Sequence, residues 1–529
     1  MASALWANSP RTRQSGWVTR ASTTAAGSPA RLHSHDQATL ASGCRRRSST
    51  SLLAALFLAS PIRIWCRTFI SDRPHGVKIG RLSYGRRTSR SQVRALSGHR
   101  APGRPFGHGR AAILAGVRVV IMTAGSRGDV APYTGLGHAL VRAGHEVTLV
   151  THARFEPLVA GSGVSFHSLP VDPRAELESE RGRELHRSTT GAGKLWRVVK
   201  MGRSLVGAMA GELVSAARAS DALLMAGVLA PFGHTVAEGL KIPSFGVNLQ
   251  PLAPTGEFAP PMTGVRSWGP VLDRAAGHAV NLSVEWVFTE EVRRLRAEYG
   301  LPRSGRTTGR RARERRLWRV FHGFSPRVVP RPGDWRPGLD ITGYWWPYDR
   351  EDRLPAPLLD FLDAGPPPVF VGLGSATVPD PERMSAEVVR ALRAAGLRGV
   401  IQRGWGELRG EGDDMFTVGE VPHSLLFPRM AAVVHHAGAG TTAAGLRAGV
   451  PAVPVPVQFD EAFWAARLAA LGVSPGAVPL RGFTAAGLTA LLRRATGDPS
   501  YGRRARALAE ELRTEDGVAP VLAAVNRLA

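Results

Sequence analysis

The feature that most constrains the fold of this chain is a strand–loop–helix–strand pattern that begins at Val117. Residues 117–123 ("VRVVIMT") form a short β-branched run that suits a strand buried on both faces. The loop "GSRGDVAP" (125–132), a stretch with helical spacing that ends at Gly144, and a second apolar run at 145–151 ("HEVTLVT") follow. This order predicts parallel strands joined by crossover helices, as in a doubly wound α/β domain.

The same alternation continues and then starts again in the second half of the chain. Further strands are indicated at 222–228 and 243–249, and a second series begins at 369 with "VFVGLGS". Two such domains place a cleft between the carboxyl ends of two parallel sheets, where ligands are expected. The predicted division is a Rossmann-like domain at 117–343, a Pro- and Trp-rich linker at 344–367, a second Rossmann-like domain at 368–505 and a C-terminal helix at 506–529.

Length and charge agree with a globular protein of several domains. The 529 residues exceed the ~250–300 at which one hydrophobic core stops growing. The net charge of +26 would suggest a nucleic-acid or membrane partner, but residues 1–116 hold 19 Lys and Arg against two acidic residues. The other 413 residues hold 49 basic against 40 acidic residues, so the body is only mildly basic. We therefore predict no nucleic-acid partner.

The first segment, 1–116, differs from the body in every respect. It is rich in Arg, Ser and Gly, lacks sustained periodicity and contains both cysteines, Cys44 and Cys66, so the body has neither a disulfide framework nor a thiol nucleophile. Its apolar run, 51–60, is too short to span a bilayer, which takes ~20 residues. We interpret 1–116 as a disordered basic extension or an upstream stretch that is not normally translated, with Val117 as an alternative start, and we expect a cytoplasmic protein.

A glycine-rich turn at 435–442 ("HHAGAGTT") is the strongest candidate for a ligand site. Gly438-x-Gly440-x-x-Ala443 follows a buried strand and opens a helix, which matches the dinucleotide pattern, and Asp460 lies near the spacing of a ribose-binding acid. This local motif therefore leaves an NAD(P)-dependent oxidoreductase as an alternative function. The physics common to all interpretations is anion binding, because glycines let a phosphate approach the N–H groups and positive dipole at a helix start.

Two histidines precede this turn. Adjacent residues on a strand point to opposite faces, so His435 and His436 could not both reach one metal ion without a bend. We assign His435 to the core and His436 to a phosphate oxygen, with Thr441 as an additional hydroxyl donor. The sequence thus predicts an anion site without a metal.

Taken together, the motifs resemble the family 1 glycosyltransferases, and within them the subgroup of sterol glucosyltransferases and the glycosyltransferases of glycopeptide antibiotic synthesis. The resemblance extends from Val117 to about Val473. It implies a GT-B fold, with an N-terminal domain for the acceptor, a C-terminal domain for a UDP- or dTDP-sugar, and inverting transfer without a metal. It is carried by "GSRGDVAP", "VAEGLKIPSF", "PTGEFAPP", "GFSPRVVPRPGDW", "ITGYWW", "VGLGS", "VPHSLLFPR" and "HHAGAGTTAAGLRAGVPAVPVPVQFDEAFWAARLAALGVSP".

The resemblance also implies which residues hold the donor. The diphosphate would contact His436, the backbone of Ala439 and Gly440, and the hydroxyl groups of Thr441 and Ser375. The nucleoside would lie against Val421 and His423, and Asp460 and Glu461 would bind the sugar hydroxyls.

Three positions depart from the family pattern. Glu461 replaces the usual Gln, which puts the sugar in doubt, and Ala444 replaces an acid that often binds the ribose, so the nucleotide preference is open. Ala437 stands where a glycine is common, a change that we expect only if this backbone has an ordinary φ.

The candidate base is Asp129, where the subgroup places an aspartate, since inverting transfer needs a group to take the acceptor proton. The alternative is that Asp129 caps the following helix, which Pro132 marks. Ser126 and Arg127 share this loop as donor-binding candidates. Arg127 would approach the donor phosphates across the cleft, or else lie solvated on the surface.

The acceptor is less determined. Segments 190–225 and 265–300 would form its wall, and their apolar content suits a sterol, a polyketide or another lipid-like alcohol, although the same residues could be core. The basic residues Lys194, Arg197, Lys200 and Arg203 would give weak peripheral membrane contact or a solvated face. A non-catalytic sugar-nucleotide-binding protein is a further alternative, and the oligomeric state is left open.

Overall fold

The computed structural model describes residues 116–172, 174–175, 191–264 and 266–529, and it describes the side chains of the helix that begins at 191 only from residue 202 onward. The predicted basic extension, apart from Gly116, lies outside these residues together with Cys44 and Cys66. The side chains of Lys194, Arg197 and Lys200 lie outside them too.

The first domain is built on a seven-stranded, fully parallel sheet with the strand order β3-β2-β1-β4-β5-β6-β7. All of β4 and nearly all of β1 are buried, because these strands lie in the middle of the sheet and helices cover both faces. The strands are β1 (Arg118–Met122), β2 (Glu146–His152), β3 (Ser165–Leu169), β4 (Ala222–Ala226), β5 (Ser244–Asn248), β6 (Val320–His322) and β7 (Leu339–Ile341).

Helices connect these strands and contribute the core on both faces of the sheet. Short 3₁₀ segments occupy Ala153–Leu158, Gly227–Leu229 and Pro261–Thr263. The α-helices are α1 (Arg127–Arg142), α2 (Gly191–Arg218), α3 (Ala230–Leu240), α4 (Pro270–Val287), α5 (Thr289–Glu298) and α6 (Arg306–Arg315). No helix of the described residues has the length and apolar character needed to cross a membrane.

The second domain has a five-stranded parallel sheet with the order β10-β9-β8-β11-β12. Its strands are β8 (Val369–Gly372), β9 (Gly399–Gln402), β10 (Met415–Val418), β11 (Ala432–His435) and β12 (Ala452–Pro454). Its helices are α7 (Ala356–Asp363), α8 (Pro381–Ala394), α9 (His423–Leu426), α10 (Ala439–Ala448), α11 (Glu461–Ala470), α12 (Ala485–Gly497) and α13 (Pro499–Arg513), and a 3₁₀ turn occupies Phe427–Arg429.

The two sheets confirm the predicted α/β class, and the strand order in each reverses beside its first strand. In the first domain this point lies between β1 and β4, and in the second between β8 and β11. Ligands of open parallel sheets bind at the carboxyl ends of strands at such a point. The loops after β1, β8 and β11 are therefore where a site is expected.

Two connections depart from the predicted division. The segment predicted as linker contains α7, whose Leu358 and Leu362 pack in a core cluster of the second domain. The last helix, α14 (Ala519–Asn526), returns to the first domain, where Val521 and Val525 belong to the core cluster of β1 and β4. Trp345 fixes this return, since its Nε1 donates to the carbonyl oxygen of Gly517 at 2.8 Å.

We expect the packing of α14 to contribute to the stability of the first domain. Val521 is fully buried, so Val521→Ala should lower the free energy of unfolding by about 2 kcal/mol through lost burial and a residual cavity. Val271, near the start of α4, is 81% exposed, and Val271→Ala is the matched control, with a change within ~0.5 kcal/mol. Urea denaturation followed by circular dichroism measures both, and equal stability of the two variants would contradict the packing of α14.

Candidate functional site

Two helix N-termini meet at the cleft between the sheets. Helix α1 follows β1 and helix α10 follows β11, so both begin at carboxyl ends of central strands. Their first turns are close, because a Cβ placed on Gly440 of α10 would lie 4.0 Å from the Cα and carbonyl oxygen of Gly128 of α1. The positive ends of two helix dipoles thus face one small region.

The two N-termini differ in how their N–H groups are satisfied. Helix α1 has a capping box, in which Asp129 accepts from the backbone N–H of Ser126 at 2.9 Å and from its hydroxyl at 3.0 Å. Helix α10 has Gly438 as its N-cap, and among the described residues it has neither a side-chain cap nor an acid in its first turn. Its first turn therefore offers the N–H groups of Ala439, Gly440 and Thr441 to an anion.

His436 lies beside this open N-terminus. Its ring is held between two glycines, since a Cβ on Gly374 would lie 2.7 Å from Cε1 of the imidazole and one on Gly438 would overlap Nε2. Burial lowers its pKa to about 4, so the ring is neutral at pH 7 and carries one N–H donor. Its Nδ1 is buried and has no partner among the described residues, which is the arrangement expected of a group that binds a ligand.

His435 has the structural role that the sequence predicted. It is fully buried, and its Nδ1 accepts from the N–H of Ala437 at 3.1 Å, so a neutral ring carries its proton on Nε2. The expectation of an ordinary φ at Ala437 is wrong, because this residue has a φ of 66°. A left-handed alanine costs roughly 1–2 kcal/mol, and here its methyl group is buried in the cluster that contains Phe324 and Trp464.

Asp129 is the third residue of α1, not its N-cap, and it takes part in the capping box described above. Burial raises the pKa of its carboxyl group above the ordinary value. Gly125 is needed beside it, because a Cβ there would lie 2.5 Å from Oδ2 of Asp129, and the φ of 141° suits glycine. The capping alternative is thus present in the structure, and it also fixes the carboxyl group at the cleft.

A carboxyl group of the second domain faces Asp129. Asp460 is 9% exposed, its Oδ2 accepts from Nε1 of Trp464 at 2.7 Å, and burial together with the charge of Asp129 raises its pKa to about 6. The side-chain amide of Gln250, from the first domain, lies near both carboxyl groups and partly offsets the rise in their pKa values. The candidate base, the candidate sugar ligand and this amide therefore lie together in the cleft.

Glu461, the departure from the family pattern, holds its own loop in place. One carboxyl oxygen, Oε2, accepts from the backbone N–H groups of Gln458 at 2.7 Å and Val457 at 2.5 Å. Burial raises the pKa of Glu461 to about 7. Near neutral pH a fraction of Glu461 therefore carries a proton, and in that state it can donate a hydrogen bond as the usual Gln would.

The side chain of Arg127 reaches across the cleft to the second domain, where its partner is a carboxylate. Its Nη1 lies 2.5 Å from Oε2 of Glu420, the residue before the candidate nucleoside site. His423 stacks on Phe427 with ring centroids 4.3 Å apart, and burial, with the charge of Arg127 adding to it, lowers the pKa of His423 to about 3. Val421 is buried in the hydrophobic cluster that also contains Phe427.

The remaining predicted donor residues lie around the N-terminus of α10. Ser375 is half-buried in the loop after β8, next to Gly374, and Thr441 is half-buried in the first turn of α10. Thr442, which was not predicted as a donor residue, is buried, and its hydroxyl group has no partner among the described residues. Within the same residues, no group of three or more His, Cys, Asp or Glu side chains could hold a metal ion.

The predicted acceptor wall is partly ordinary core. In the described part of α2, Val206, Met209 and Leu213 pack in the core cluster that covers β1 and β4. The guanidinium of Arg203 lies 5.9 Å from the ring of Trp286, so this residue packs against α4.

Two residues at the cleft were missed in the sequence. Gln250 follows β5 by two residues, and Glu420 follows β10 by two. Their only signal is a polar side chain at the carboxyl end of a strand, which many surface residues share.

The chain is similar to known proteins along both of its α/β domains. The N-terminal domain of glycosyltransferase family 28 matches residues 119–256, and the C-terminal domain of erythromycin biosynthesis protein CIII-like proteins matches 400–527. O-mycaminosyltylonolide 6-deoxyallosyltransferase of Streptomyces fradiae is 36% identical over 412 residues, which cover 76% of this chain and 95% of that protein.

Sterol glucosyltransferases are also similar. A sterol 3-beta-glucosyltransferase of Arabidopsis thaliana is 33% identical over 425 residues, which are 76% of this chain and 64% of that protein. The chain thus spans less than two thirds of that relative, and only 27% of the sterol 3-beta-glucosyltransferase of Cryptococcus neoformans.

Solved structures share the fold. The glycosyltransferase of kitacinnamycin has a TM-score of 0.57 at 19% identity, covering 79% of this chain and 100% of that one. SsfS6 of Streptomyces sp. SF2575, solved with thymidine diphosphate, has a TM-score of 0.52 at 24% identity, covering 78% of this chain and 99% of that one.

The pKa of Glu461 predicts a pH-dependent stability. Its folded pKa of about 7 is above the ordinary glutamate value, so the folded state binds a proton that the unfolded state has lost, and stability falls as the pH rises from about 4.5 through 7. Glu461→Gln keeps an acceptor oxygen for the two N–H groups and removes this titration. The melting temperature of the variant minus that of the wild type should therefore increase between pH 5 and pH 8.

The exposed Glu351 provides the control, since Glu351→Gln should give no such trend. A melting-temperature difference for Glu461→Gln that stays constant from pH 5 to pH 8 would show that the carboxyl group is already ionised in the folded protein.

Proposed function

Because the chain belongs to the family 1 glycosyltransferases of GT-B fold, we propose that it moves a hexose from a UDP- or dTDP-sugar to a hydroxyl group of a hydrophobic acceptor, with inversion and without a metal ion. The observation that carries the proposal is the open N-terminus of α10 with His436 beside it, directly across from Asp129. An anion site and a carboxylate base are the two groups that such a transfer needs.

The anion site stabilises the leaving diphosphate. The three N–H groups at the start of α10 and the N–H of neutral His436 are fixed before the reaction and point to where negative charge develops. Ser375, in the loop after β8, and Thr441, in the first turn of α10, add hydroxyl donors. In this proposal these donors take the role that a divalent cation has in many phosphate sites.

Asp129 accepts the proton of the acceptor. The acceptor oxygen attacks the anomeric carbon, its proton passes to the carboxylate of Asp129, and the bond from the anomeric carbon to the diphosphate breaks on the opposite face. Asp129 accepts the proton in its ionised form. Because burial raises the pKa of its carboxyl group, this ionised form is a stronger base than an exposed aspartate. The amide of Gln250 lies near both Asp129 and Asp460 and partly offsets the rise in their pKa values.

The donor and acceptor classes rest on the relatives. SsfS6 was solved with thymidine diphosphate, which supports a nucleoside-diphosphate donor. In this proposal the nucleoside of the donor lies against Val421 and His423. The names of the relatives refer to sterol and tylonolide acceptors, which support a hydrophobic alcohol. Asp460 and Glu461 are then the candidates for the sugar hydroxyls.

A transfer assay tests the proposal. The protein is incubated with UDP-glucose or dTDP-glucose and a panel of sterols, macrolide aglycones and planar phenols, and glycosides are detected by mass spectrometry, with donor hydrolysis as the background. We expect a glycoside at a rate unchanged by a chelator, and melting-temperature shifts with UDP or dTDP but not with NAD(P). Shifts with NAD(P) alone would favour the oxidoreductase alternative, and nucleotide binding without transfer would favour a non-catalytic protein.

Asp129→Asn tests the base. The amide oxygen can still accept from Ser126, so the capping box and the melting temperature should persist, while kcat falls by about 100-fold or more through loss of the base. Asp380 caps α8 by accepting from the N–H of Arg383, and Asp380→Asn is the matched control with unchanged kcat. Wild-type turnover in Asp129→Asn would reduce Asp129 to a cap.

His436→Ala tests the anion site. Removing one preorganised donor to the leaving group costs ~3 kcal/mol of transition-state stabilisation, so kcat should fall by roughly 100-fold in a protein that melts cooperatively. His167 on β3 makes a surface contact with Glu212, and His167→Ala should leave kcat unchanged. Turnover within a few fold of the wild type in His436→Ala would refute its assignment to the diphosphate.

A further inference from the structure

Phe459 has a backbone conformation that packing does not explain. Its φ is 50°, in the left-handed region that non-glycine residues rarely adopt, and its side chain is 48% exposed. A buried aromatic residue could offset such strain by its contacts, but about half of this ring has none. Strain that persists without a packing reason is found most often at functional sites.

The position of Phe459 is beside the reacting groups. It directly precedes Asp460, a buried carboxyl group whose pKa is raised by burial and by the charge of the nearby Asp129. On its other side, the carbonyl oxygen of Phe459 lies 3.8 Å from a Cβ placed on Gly264, in the loop of the first domain that follows β5. Phe459 therefore stands where loops of both domains meet at the mouth of the cleft.

The first-domain loop at this mouth is apolar. A small pocket between this loop and α4 is lined by Leu252, Phe258 and Met262 of the loop and by Asp273 and Val280 of the helix. Phe258 also packs on Phe463 of α11, with ring centroids 5.2 Å apart, so this loop is tied to the segment that carries Phe459. The half-exposed ring of Phe459 therefore belongs to a second-domain segment that packs against an apolar loop of the first domain.

We propose that Phe459 is a specificity-determining residue for the acceptor, and that its exposed ring stacks on a flat apolar face of that molecule, such as a fused-ring or aromatic system. The proposal rests on the proposed function, and it names the shape of the acceptor that this function leaves open. The ring suits the role because an aromatic face offers a large rigid contact, and its fixed backbone holds it one residue from the sugar-binding acid. A charged or strongly hydrated acceptor would gain nothing from it.

Phe459→Gly tests the proposal, because glycine adopts this φ without strain and removes the ring. We expect an acceptor KM at least ~10-fold higher, since a half-exposed aromatic face no longer becomes covered on binding, with the donor KM and the rate of donor hydrolysis within twofold of the wild type. The melting temperature should stay the same or rise as the strain is relieved. Phe459→Tyr, which keeps the ring face, should retain the acceptor KM.

Leu317 provides a matched control. Its φ is also 50° and its side chain is 53% exposed, but it follows the end of α6, away from the residues that form the site. Leu317→Gly should change the melting temperature in the same direction and leave both KM values unchanged.

Three results would overturn the role of Phe459. The first is an acceptor KM in Phe459→Gly within twofold of the wild type. The second is an equal rise in the donor KM of this variant, which would assign the ring to the donor. The third is the same rise in the acceptor KM in Leu317→Gly. A wild-type protein that forms no glycoside with any acceptor overturns the proposed function itself, and with it this inference. An active wild type with an unaffected Phe459→Gly overturns only the inference.

Discussion

The site depends on an asymmetry between two helix starts that face each other. Both α1 and α10 begin at the carboxyl end of a central strand, and their first turns approach closely at Gly128 and Gly440. Two positive helix ends would repel each other if both stayed open. Asp129 supplies the negative charge for α1 from within its own first turn, whereas α10 has no acid there among the described residues. An anion is therefore attracted to α10, and the carboxyl group that could act as a base is fixed opposite it.

Acidic side chains with little exposure lie on both sides of the cleft, Asp129 half-buried in the first domain and Asp460 and Glu461 buried in the second. Burial raises the pKa of Asp129, Asp460 and Glu461, and the charge of Asp129 raises that of Asp460 further. Isolated carboxylates in such a place would be costly, so each accepts hydrogen bonds. Asp129 accepts from Ser126, Asp460 from Trp464 and Glu461 from two backbone N–H groups. The nearby amide of Gln250 partly offsets the rise in the pKa of Asp129 and Asp460.

The elements that could be predicted from the sequence are those that local residue patterns determine. Short β-branched runs and helical spacing gave the two parallel sheets, and glycine next to a buried strand gave the turn before α10. Strands β6 and β7 have three residues each, too few for a periodic signal, and α14 returns to the first domain through contacts that are distant in sequence. The pair Arg127–Glu420 joins the two domains, and Gln250 of the first domain lies near Asp460 of the second, so no segment taken alone contains these contacts. The position of His436 beside the N-terminus of α10 was predictable because its strand, its turn and its helix are continuous in the chain.

Backbone strain gives a further distinction within the structure. Among the described residues, the non-glycine positions with positive φ are Lys241, Leu317, Glu407, Ala437 and Phe459. Lys241 and Leu317 end helices, where a left-handed residue satisfies the last carbonyl groups and has an ordinary structural reason. The other three lie in loops after β9, β11 and β12, on the edge of the second sheet that faces the first domain. Strained residues persist only where their surroundings fix them, and among these three Ala437 is fully buried in the cluster that contains Phe324 and Trp464. Packing therefore fixes the turn before α10, and with it the direction of the N–H donors at the start of this helix, before any ligand binds.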